Sequence, residues 1–220
     1  GPLLSSVLTG MPAAAVLPAM MAELAELSRA LQKPVFAHNS ETKEEVDGCL
    51  LRYGKTPTEL MESLGLFDYG GGGFHCVHFT DRDREIFRER GLWAVTNPAS
   101  NLKLASGIAE LHKMREAGVR MAIGTDGPAS NNCLDMFREM FLVTGLQKAI
   151  TGDPSVMPAD FVLQMATRNG ALAMGLTDCD GLAVGKRADL TVIDLNRPNM
   201  QPLNDIEKNL VYSGSKENVI

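Results

Sequence analysis

Histidine, asparagine and carboxylate side chains lie at the ends of four short apolar segments of the sequence. His38 ends the first segment and Glu41 follows three residues later, while His75 lies in the second segment, Asn97 follows the third and Asp126 follows the fourth. Neutral imidazole and carboxylate groups bind divalent metals, and a hydrolytic metal site keeps one position for water. A nearby glutamate can take a proton from that water and deliver it to the leaving group.

These residue types predict a metal-dependent hydrolytic site. His38 and Asp126 are the expected metal ligands, Glu41 is the expected proton carrier, and His75 is expected to polarise the electrophile or to hold the hydroxide. A single histidine at a strand end is more often a structural residue, and a single aspartate there often caps the next helix. Four consecutive segments with such an end are harder to explain by capping, so we favour a site.

The other two histidines favour structural roles. His78 lies three residues after His75, and side chains at that spacing on a strand point to opposite faces of the sheet. We therefore expect a surface or capping role for His78. His112 lies in a predicted helix beside Lys113 and Arg115, which favours a solvated face.

Strands and helices alternate along the chain and position these residues. The predicted strands are short and apolar and cover residues 34–38, 73–77, 92–96 and 119–124, and a further β-rich run is expected at residues 188–194. The predicted helices cover residues 13–31, 42–52, 57–64, 81–90, 107–117, 134–149 and 158–174. The alternation predicts an α/β fold with a parallel sheet covered by helices, either doubly wound or part of a barrel. In such folds the chemistry collects at the carboxyl ends of the strands.

The composition narrows the class of partner. The chain has 220 residues, a formal charge of −6 and 45% apolar residues, so it can bury a core without a disulfide or metal. Charge interrupts every apolar stretch before the roughly 18 residues of a membrane span, and no basic patch suggests nucleic acid. A small polar substrate or a protein partner remains. The four cysteines stand singly without CxxC spacing, which favours a reducing, cytoplasmic compartment.

Five motifs in order resemble the amidohydrolase superfamily. They are HNSET at 38–42, HCVHFT at 75–80, NPASNLKLASG at 97–107, GTDGPASNN at 124–132 and GLAVGKRADL at 181–190. Within the superfamily, the motifs are most similar to the deaminases of 5-methylthioadenosine and S-adenosylhomocysteine, close to the triazine hydrolase and chlorohydrolase group.

The resemblance implies a fold and a reaction. Residues 1–180 would form strands five to eight of a TIM-type (β/α)8 barrel, and residues 181–220 would begin a small β-sandwich. One divalent metal, with zinc favoured over iron, manganese or nickel, would be bound by His38 and Asp126. Glu41, His75 and Asp126 would act in catalysis and contact the substrate. The reaction would be hydrolytic deamination of an adenine nucleoside such as 5-methylthioadenosine, S-adenosylhomocysteine or adenosine, with release of ammonia.

Other features of the family pattern are absent from this sequence. The family has a His-x-His ligand pair on its first strand, whereas no histidine precedes His38 here, and the sequence does not begin with Met. We therefore expect the missing amino-terminal half of the barrel as a partner, and a half-barrel with exposed edges also favours a homo-oligomer. Two alternatives stay open: an s-triazine, guanine or cytosine-type aminohydrolase or chlorohydrolase, and a degenerate paralogue without activity.

Overall fold

The computed structural model of the protein describes residues 18–220 and divides into two compact units. The first unit comprises the described residues up to Thr96 together with Asn101–Met121. The second comprises Asn97–Ser100 and Ala122–Ile220. The predicted helical residues 13–17 lie outside the described residues.

Four strands in the described residues form one sheet. They are β1 (Val35–Asn39), β2 (Gly71–His75), β3 (Trp93–Thr96) and β4 (Arg120–Ile123). The strand order is β1-β2-β3-β4, and β2 pairs in parallel with β1 and with β3. This register places Asn39, the last residue of β1, opposite His75, the last residue of β2. The prediction of an α/β fold with a parallel sheet is confirmed.

Eleven α-helices occur in residues 18–220. They are α1 (Pro18–Leu31), α2 (Lys43–Tyr53), α3 (Pro57–Ser63), α4 (Asp81–Arg90), α5 (Pro98–Lys103), α6 (Leu111–Glu116), α7 (Pro128–Asn131), α8 (Met136–Thr151), α9 (Ala159–Ala166), α10 (Arg168–Ala173) and α11 (Ile206–Ser213). Two short 3₁₀ helices cover Pro198–Met200 and Lys216–Asn218. No helix in this part of the chain combines the length and the apolar character needed to cross a bilayer.

Local capping sets the helices that follow β1 and β2. Thr42 accepts a hydrogen bond from the backbone N–H of Glu45 at the start of α2. Thr80 and Asp83 form a reciprocal capping box at the start of α4, as the spacing of these residue types favours. Asp83 is fully buried, and this burial raises the pKa of its carboxyl. Gly91 ends α4 in the left-handed conformation that glycine adopts without strain.

The first unit buries an aromatic cluster beneath α4. Phe87 is fully buried, and its ring lies 4.7 Å from that of Phe79 and 6.0 Å from that of Phe67, both in edge-on geometry. Aromatic pairs favour this arrangement over a face-to-face sandwich. The cluster packs α4 against the loop that leaves β2, where Phe79 lies, and against the segment before β2, where Phe67 lies.

The second unit is built on α8, α9 and α11, which pack against one another. Their buried faces contribute Met140, Val143, Val162, Met165 and Val211. The predicted helix over 158–174 is wrong in its continuity, because the backbone at Thr167 leaves helical geometry at φ −120° and ψ −92° and separates α9 from α10. Sequence patterns also missed α11.

The region after Gly181 differs from the β-rich run expected at 188–194. Its β-structure consists of an isolated antiparallel bridge between Ile193 and Val219, and residues 188–192 have no regular structure. Leu190 and Val192, two of the β-branched and apolar residues of this run, are each 56% exposed. The predicted strand is wrong, and the β-sandwich stays a prediction.

Candidate active site

The turn after β1 presents His38 and Glu41. His38 is the fourth residue of β1 and is half-buried. Ser40 has a left-handed φ of 52°, which ends the strand and redirects the chain. The backbone N–H of Glu41 donates to Glu45 Oε2 at 2.8 Å, so the first turn of α2 fixes the residue that follows the turn. The two side chains are therefore set by the strand and by the helix start.

Glycine lets the first residues of β2 approach both neighbouring strands closely. A Cβ at Gly71 or Gly72 would collide with the backbone of an adjacent strand, so only glycine fits at both positions. His75 and Cys76 then adopt φ values of 68° and 52°, a conformation that costs a residue with a Cβ roughly 1–2 kcal/mol. His75 is 1% exposed. This turn ends β2 with the imidazole buried at the carboxyl edge.

Three of the predicted site residues meet within the first unit. Ligand atoms of His38, Glu41 and His75 all lie within 4.8 Å of one another. His75 Nε2 lies 3.7 Å from Glu41 Oε2, and the two imidazole rings stack with centroids 5.0 Å apart. Imidazole nitrogen and carboxylate oxygen suit a divalent cation such as zinc. The cluster fits a metal by its donor chemistry, and the individual roles of these residues stay predictions.

Two side chains from the segment after β3 support this cluster. Asn101 Oδ1 lies 2.7 Å from His75 Nδ1, and both groups are buried. The hydroxyl of Ser106 donates to Glu41 Oε1 at 3.0 Å. Asn101 thus binds Nδ1 of His75 and Ser106 binds Oε1 of Glu41, and neither of these atoms takes part in the 3.7 Å contact between His75 and Glu41. The imidazole and the carboxylate are thus held with Nε2 and Oε2 toward each other.

His78 differs from the expectation of a surface or capping role. Since β2 ends at His75 and the next residue also has a positive φ, the alternation of a strand does not extend to His78. His78 is half-buried, and its Nε2 lies 2.8 Å from the backbone carbonyl oxygen of Ser106. The premise of opposite strand faces is therefore wrong. His112, at the second position of α6, is half-buried rather than fully solvated.

Asp126 belongs to the second unit and follows β4 in a left-handed conformation with φ 59°. Its Oδ1 accepts from the backbone N–H of Gly127 at 2.7 Å, and its Oδ2 accepts from the hydroxyl of Ser100 at 2.6 Å. The Thr125 hydroxyl donates to the backbone carbonyl of Asp126. Both carboxylate oxygens therefore have a fixed direction.

Glu139 in α8 ties together the two segments that hold Asp126. Its Oε2 accepts from the backbone N–H of Ala99 at 3.0 Å, and its Oε1 accepts from Asn131 Nδ2 at 2.7 Å. The same Asn131 nitrogen donates to the carbonyl of Thr125. Glu139 is fully buried, and burial raises the pKa of its carboxyl, while these hydrogen bonds oppose the rise. The network lies entirely within the second unit.

Sequence reasoning missed the supporting residues. Ser100, Asn101 and Ser106 lie inside the motif at 97–107, where their residue types gave no indication of a partner. Glu139 left a clearer signal, since it lies on the buried face of α8 beside Met140. A carboxylate on an apolar helix face is rarely buried unless it is hydrogen-bonded. That rule would have identified Glu139 from helical periodicity.

Relatives with similar sequences are deaminases of adenine nucleosides. The chain is 44% identical over 197 residues to a 5-methylthioadenosine/S-adenosylhomocysteine deaminase of Caldanaerobacter subterraneus, a match that covers 89% of this chain and 46% of that protein. It is 47% identical over 176 residues to a 5′-deoxyadenosine deaminase of Methanosarcina acetivorans, covering 80% of this chain and 40% of the relative. The chain thus spans about half the length of these curated relatives.

Solved structures agree with these sequence matches. An adenosine deaminase from Xanthomonas campestris with bound zinc superposes with a TM-score of 0.89 at 36% identity, covering 94% of this chain and 47% of that one. A triazine hydrolase variant superposes with a TM-score of 0.83 at 22% identity, covering 93% of this chain and 45% of that one, which supports the fold alone. The sequence profile of the amidohydrolase family matches residues 3–220, and the chain belongs to that family.

Proposed function

We propose that the chain is the catalytic carboxyl-terminal half of a metal-dependent deaminase of adenine nucleosides such as 5-methylthioadenosine, S-adenosylhomocysteine or adenosine. The observation that carries the proposal is the cluster of His38, Glu41 and His75 at the carboxyl ends of two adjacent parallel strands. A noncatalytic scaffold has no need of a buried imidazole facing a carboxylate. The deaminase relatives favour the substrate class.

The proposal gives each residue a role. His38 and Asp126 hold the divalent cation, which when bound lowers the pKa of water toward neutrality. Glu41 takes a proton from the attacking water and delivers it to the substrate, which requires a carboxylate with one oxygen free to exchange a proton. Ser106 occupies Oε1 of Glu41 and leaves Oε2 on the side of His75, in agreement with this role. His75 and Asp126 orient the water and contact the substrate.

Zinc is the metal we propose for this site. The nitrogen and oxygen donors accept zinc, iron, manganese or nickel, so donor chemistry alone does not select one of them. The zinc bound to the Xanthomonas relative favours zinc.

We also propose that the protein is located in the reducing cytoplasm. All four cysteines are free thiols, which agrees with this location.

The proposed barrel needs more than this chain. The described residues contribute four strands, and the relatives are about twice as long as the matched region. We therefore propose that these strands are numbers five to eight of a (β/α)8 barrel and that an amino-terminal half supplies further ligands. Residues 181–220 would complete a β-sandwich with it, and the assembled protein would form a homo-oligomer.

Metal content and ammonia release test the proposal on the 220-residue chain and on the complete gene product. We expect one metal per chain and deamination of adenine nucleosides from the complete product, with weak metal binding and no turnover from the short chain. Glu41→Gln should lower turnover on the order of 100-fold or more and leave the metal bound, since proton transfer contributes that much. Hydrolysis of triazines or guanine only would overturn the substrate class, and full activity of the short chain would overturn the half-barrel.

A further inference from the structure

A closed set of hydrogen bonds connects Glu41 to His78 through Ser106. The Ser106 hydroxyl donates to Glu41 Oε1 at 3.0 Å, and the Ser106 carbonyl lies 2.8 Å from His78 Nε2. The backbone N–H of His78 donates to the carbonyl of Ser40 at 2.9 Å, one residue before Glu41. This path of hydrogen bonds therefore begins at Glu41 and ends at Ser40, which are neighbours in the turn after β1.

We propose that Ser106 and His78 are positioning residues for Glu41. His78 holds the backbone of Ser106 in place, and Ser106 in turn fixes the carboxylate of Glu41 with Oε2 toward His75. The inference rests on the proposed function for the role of Glu41, while the contacts themselves are independent of the reaction.

The tautomer of His78 follows from its partner. A backbone carbonyl is only an acceptor, so the ring nitrogen that faces Ser106 must carry a hydrogen. The neutral imidazole then has its hydrogen on Nε2 and a lone pair on Nδ1. His78 thus donates to the backbone carbonyl of Ser106, and the side-chain hydroxyl of Ser106 donates separately to Glu41.

The backbone of residues 105–107 has an unusual conformation next to the hydrogen bond between Ser106 and His78. Ala105 and Gly107 flank Ser106 with φ values of 57° and 123°, and the second value lies where L side chains are strained. A Cβ at Gly107 would lie 3.0 Å from Val77 Cγ1 and 3.6 Å from the ring of His78. Glycine is therefore favoured at this position by its positive φ and by the close approach to Val77, whereas the imidazole lies at ordinary contact distance. Ser106 itself is 5% exposed, so water does not readily replace its hydroxyl.

The loop restricts Glu41 to one orientation. The Glu41 side chain is 15% exposed, and without a donor at Oε1 it could rotate away from His75. Holding a side chain in its reactive orientation avoids the loss of rotamer freedom during the reaction. The contribution of Ser106 should match that of a hydrogen bond to a charged group.

The first test measures the His78 tautomer in the 220-residue chain by long-range proton–nitrogen NMR correlation. The chain has four histidines, and the His78 signals are assigned by their loss in His78→Gln. We expect hydrogen on Nε2 in the wild type and in Ser106→Ala, because the variant keeps its carbonyl. An Nδ1–H tautomer, or averaging of both tautomers in the folded chain, would overturn the proposal.

The second test measures the side-chain carboxyl carbon resonance of Glu41, assigned by its loss in Glu41→Gln. Ser106→Ala should shift this resonance, and Ser106→Thr, which keeps the hydroxyl, should return it toward the wild-type position. Ser63→Ala is the matched control, since it removes a serine hydroxyl that donates to Leu60 O at the end of α3. An unmoved Glu41 resonance in folded Ser106→Ala would contradict the proposed contact.

Turnover of the complete gene product gives the third measurement. Ser106→Ala should lower kcat on the order of 10- to 100-fold with a smaller change in KM, and Ser106→Thr should recover most of the loss. Equal losses in the alanine and threonine variants would assign the effect to loop packing and overturn the positioning role. If the wild type deaminates no adenine nucleoside, the proposed function fails, and the two NMR measurements still decide this inference.

Discussion

Replacing Glu139 with alanine should destabilise the second unit strongly. The carboxylate is fully buried and accepts two hydrogen bonds, from the backbone N–H of Ala99 and from Asn131 Nδ2. Removing it leaves two buried N–H groups without an acceptor, one on Ala99 and one on Asn131, whose other amide N–H stays bound to the carbonyl of Thr125. Each unsatisfied N–H costs about 1–3 kcal/mol. The expected loss is therefore about 2–6 kcal/mol, a large part of the roughly 5–15 kcal/mol that stabilises a typical domain.

Glu139→Gln provides an intermediate case because it keeps the side-chain volume. Its single carbonyl oxygen can accept from only one of the two donors, and its amide group must face the other. We expect a loss of about 1–3 kcal/mol, the cost of one unsatisfied donor. Glu89→Ala is the matched control, since that glutamate is 51% exposed on α4 and should change stability by about 0.5 kcal/mol or less.

Equilibrium urea unfolding, followed by far-UV circular dichroism, measures these differences. The free energy of unfolding should decrease in the order Glu89→Ala, Glu139→Gln, Glu139→Ala. A loss below about 1 kcal/mol for Glu139→Ala would refute the reasoning, because a single unsatisfied buried donor already costs that much. A Gln variant as unstable as the Ala variant would show that the second donor contributes nothing.

Three further predictions concern other parts of the chain. Gly72→Ala should abolish the pairing of β2 with β3 and lower the urea midpoint of unfolding sharply, because its Cβ would collide with the backbone of Trp93. Gly145→Ala in α8 is the control, since a Cβ there meets no atom within 4 Å and should stabilise the protein by about 0.5–1 kcal/mol. Equal effects of the two substitutions would contradict the role of close backbone approach. Iodoacetamide at pH 8 should label the half-buried Cys133 and Cys179 before the buried Cys49 and Cys76, and mass spectrometry checks the order. The physical reason is that burial raises the pKa of Cys49 to about 11 and the pKa of Cys76 well above its usual value. Burial raises the pKa of the Asp83 carboxyl, so its protonation stabilises the folded state below the usual aspartate pKa of about 3.9, and this stabilisation is lost as the pH rises through the pKa of the folded state. The free energy of unfolding should therefore decline less steeply over that pH range in Asp83→Asn. An unchanged slope in urea unfolding would refute this prediction.

Sequence patterns predicted the sheet well because its signals are local. All four strands lie within about two residues of the expected positions, and α4 matches its predicted bounds at both ends. Apolar runs, Thr-x-x-Asp capping and a terminal glycine act within one turn of the chain. The break at Thr167 was missed because the apolar spacing continues across it, although Thr167, Asn169 and Gly170 are weak helix formers.

The site was only partly readable for a related reason. Residue type identified His38, Glu41 and His75, because imidazoles and carboxylates at strand ends are unusual together. The pairing of Ser106 with Glu41 joins residues 65 positions apart, and no local pattern encodes such a contact. The wrong expectation for His78 came from extending strand alternation past the real end of β2.

The backbone conformation of this site explains why the sequence indicated which residues form it but not the directions of their side chains. Of the eight residues other than glycine with positive φ in residues 18–220, four lie at or just after the ends of strands, namely Ser40, His75, Cys76 and Asp126. Such a conformation persists where surrounding contacts determine it. The N–H of Cys76 donates to the carbonyl of Asn39, and that of His78 donates to the carbonyl of Ser40, so the turn after β2 is fastened to the turn after β1. Because an isolated His-Cys dipeptide would not adopt this geometry, the direction of the His75 ring is a property of two paired turns. A substitution in either turn should therefore change the site even when every chemically active side chain is retained.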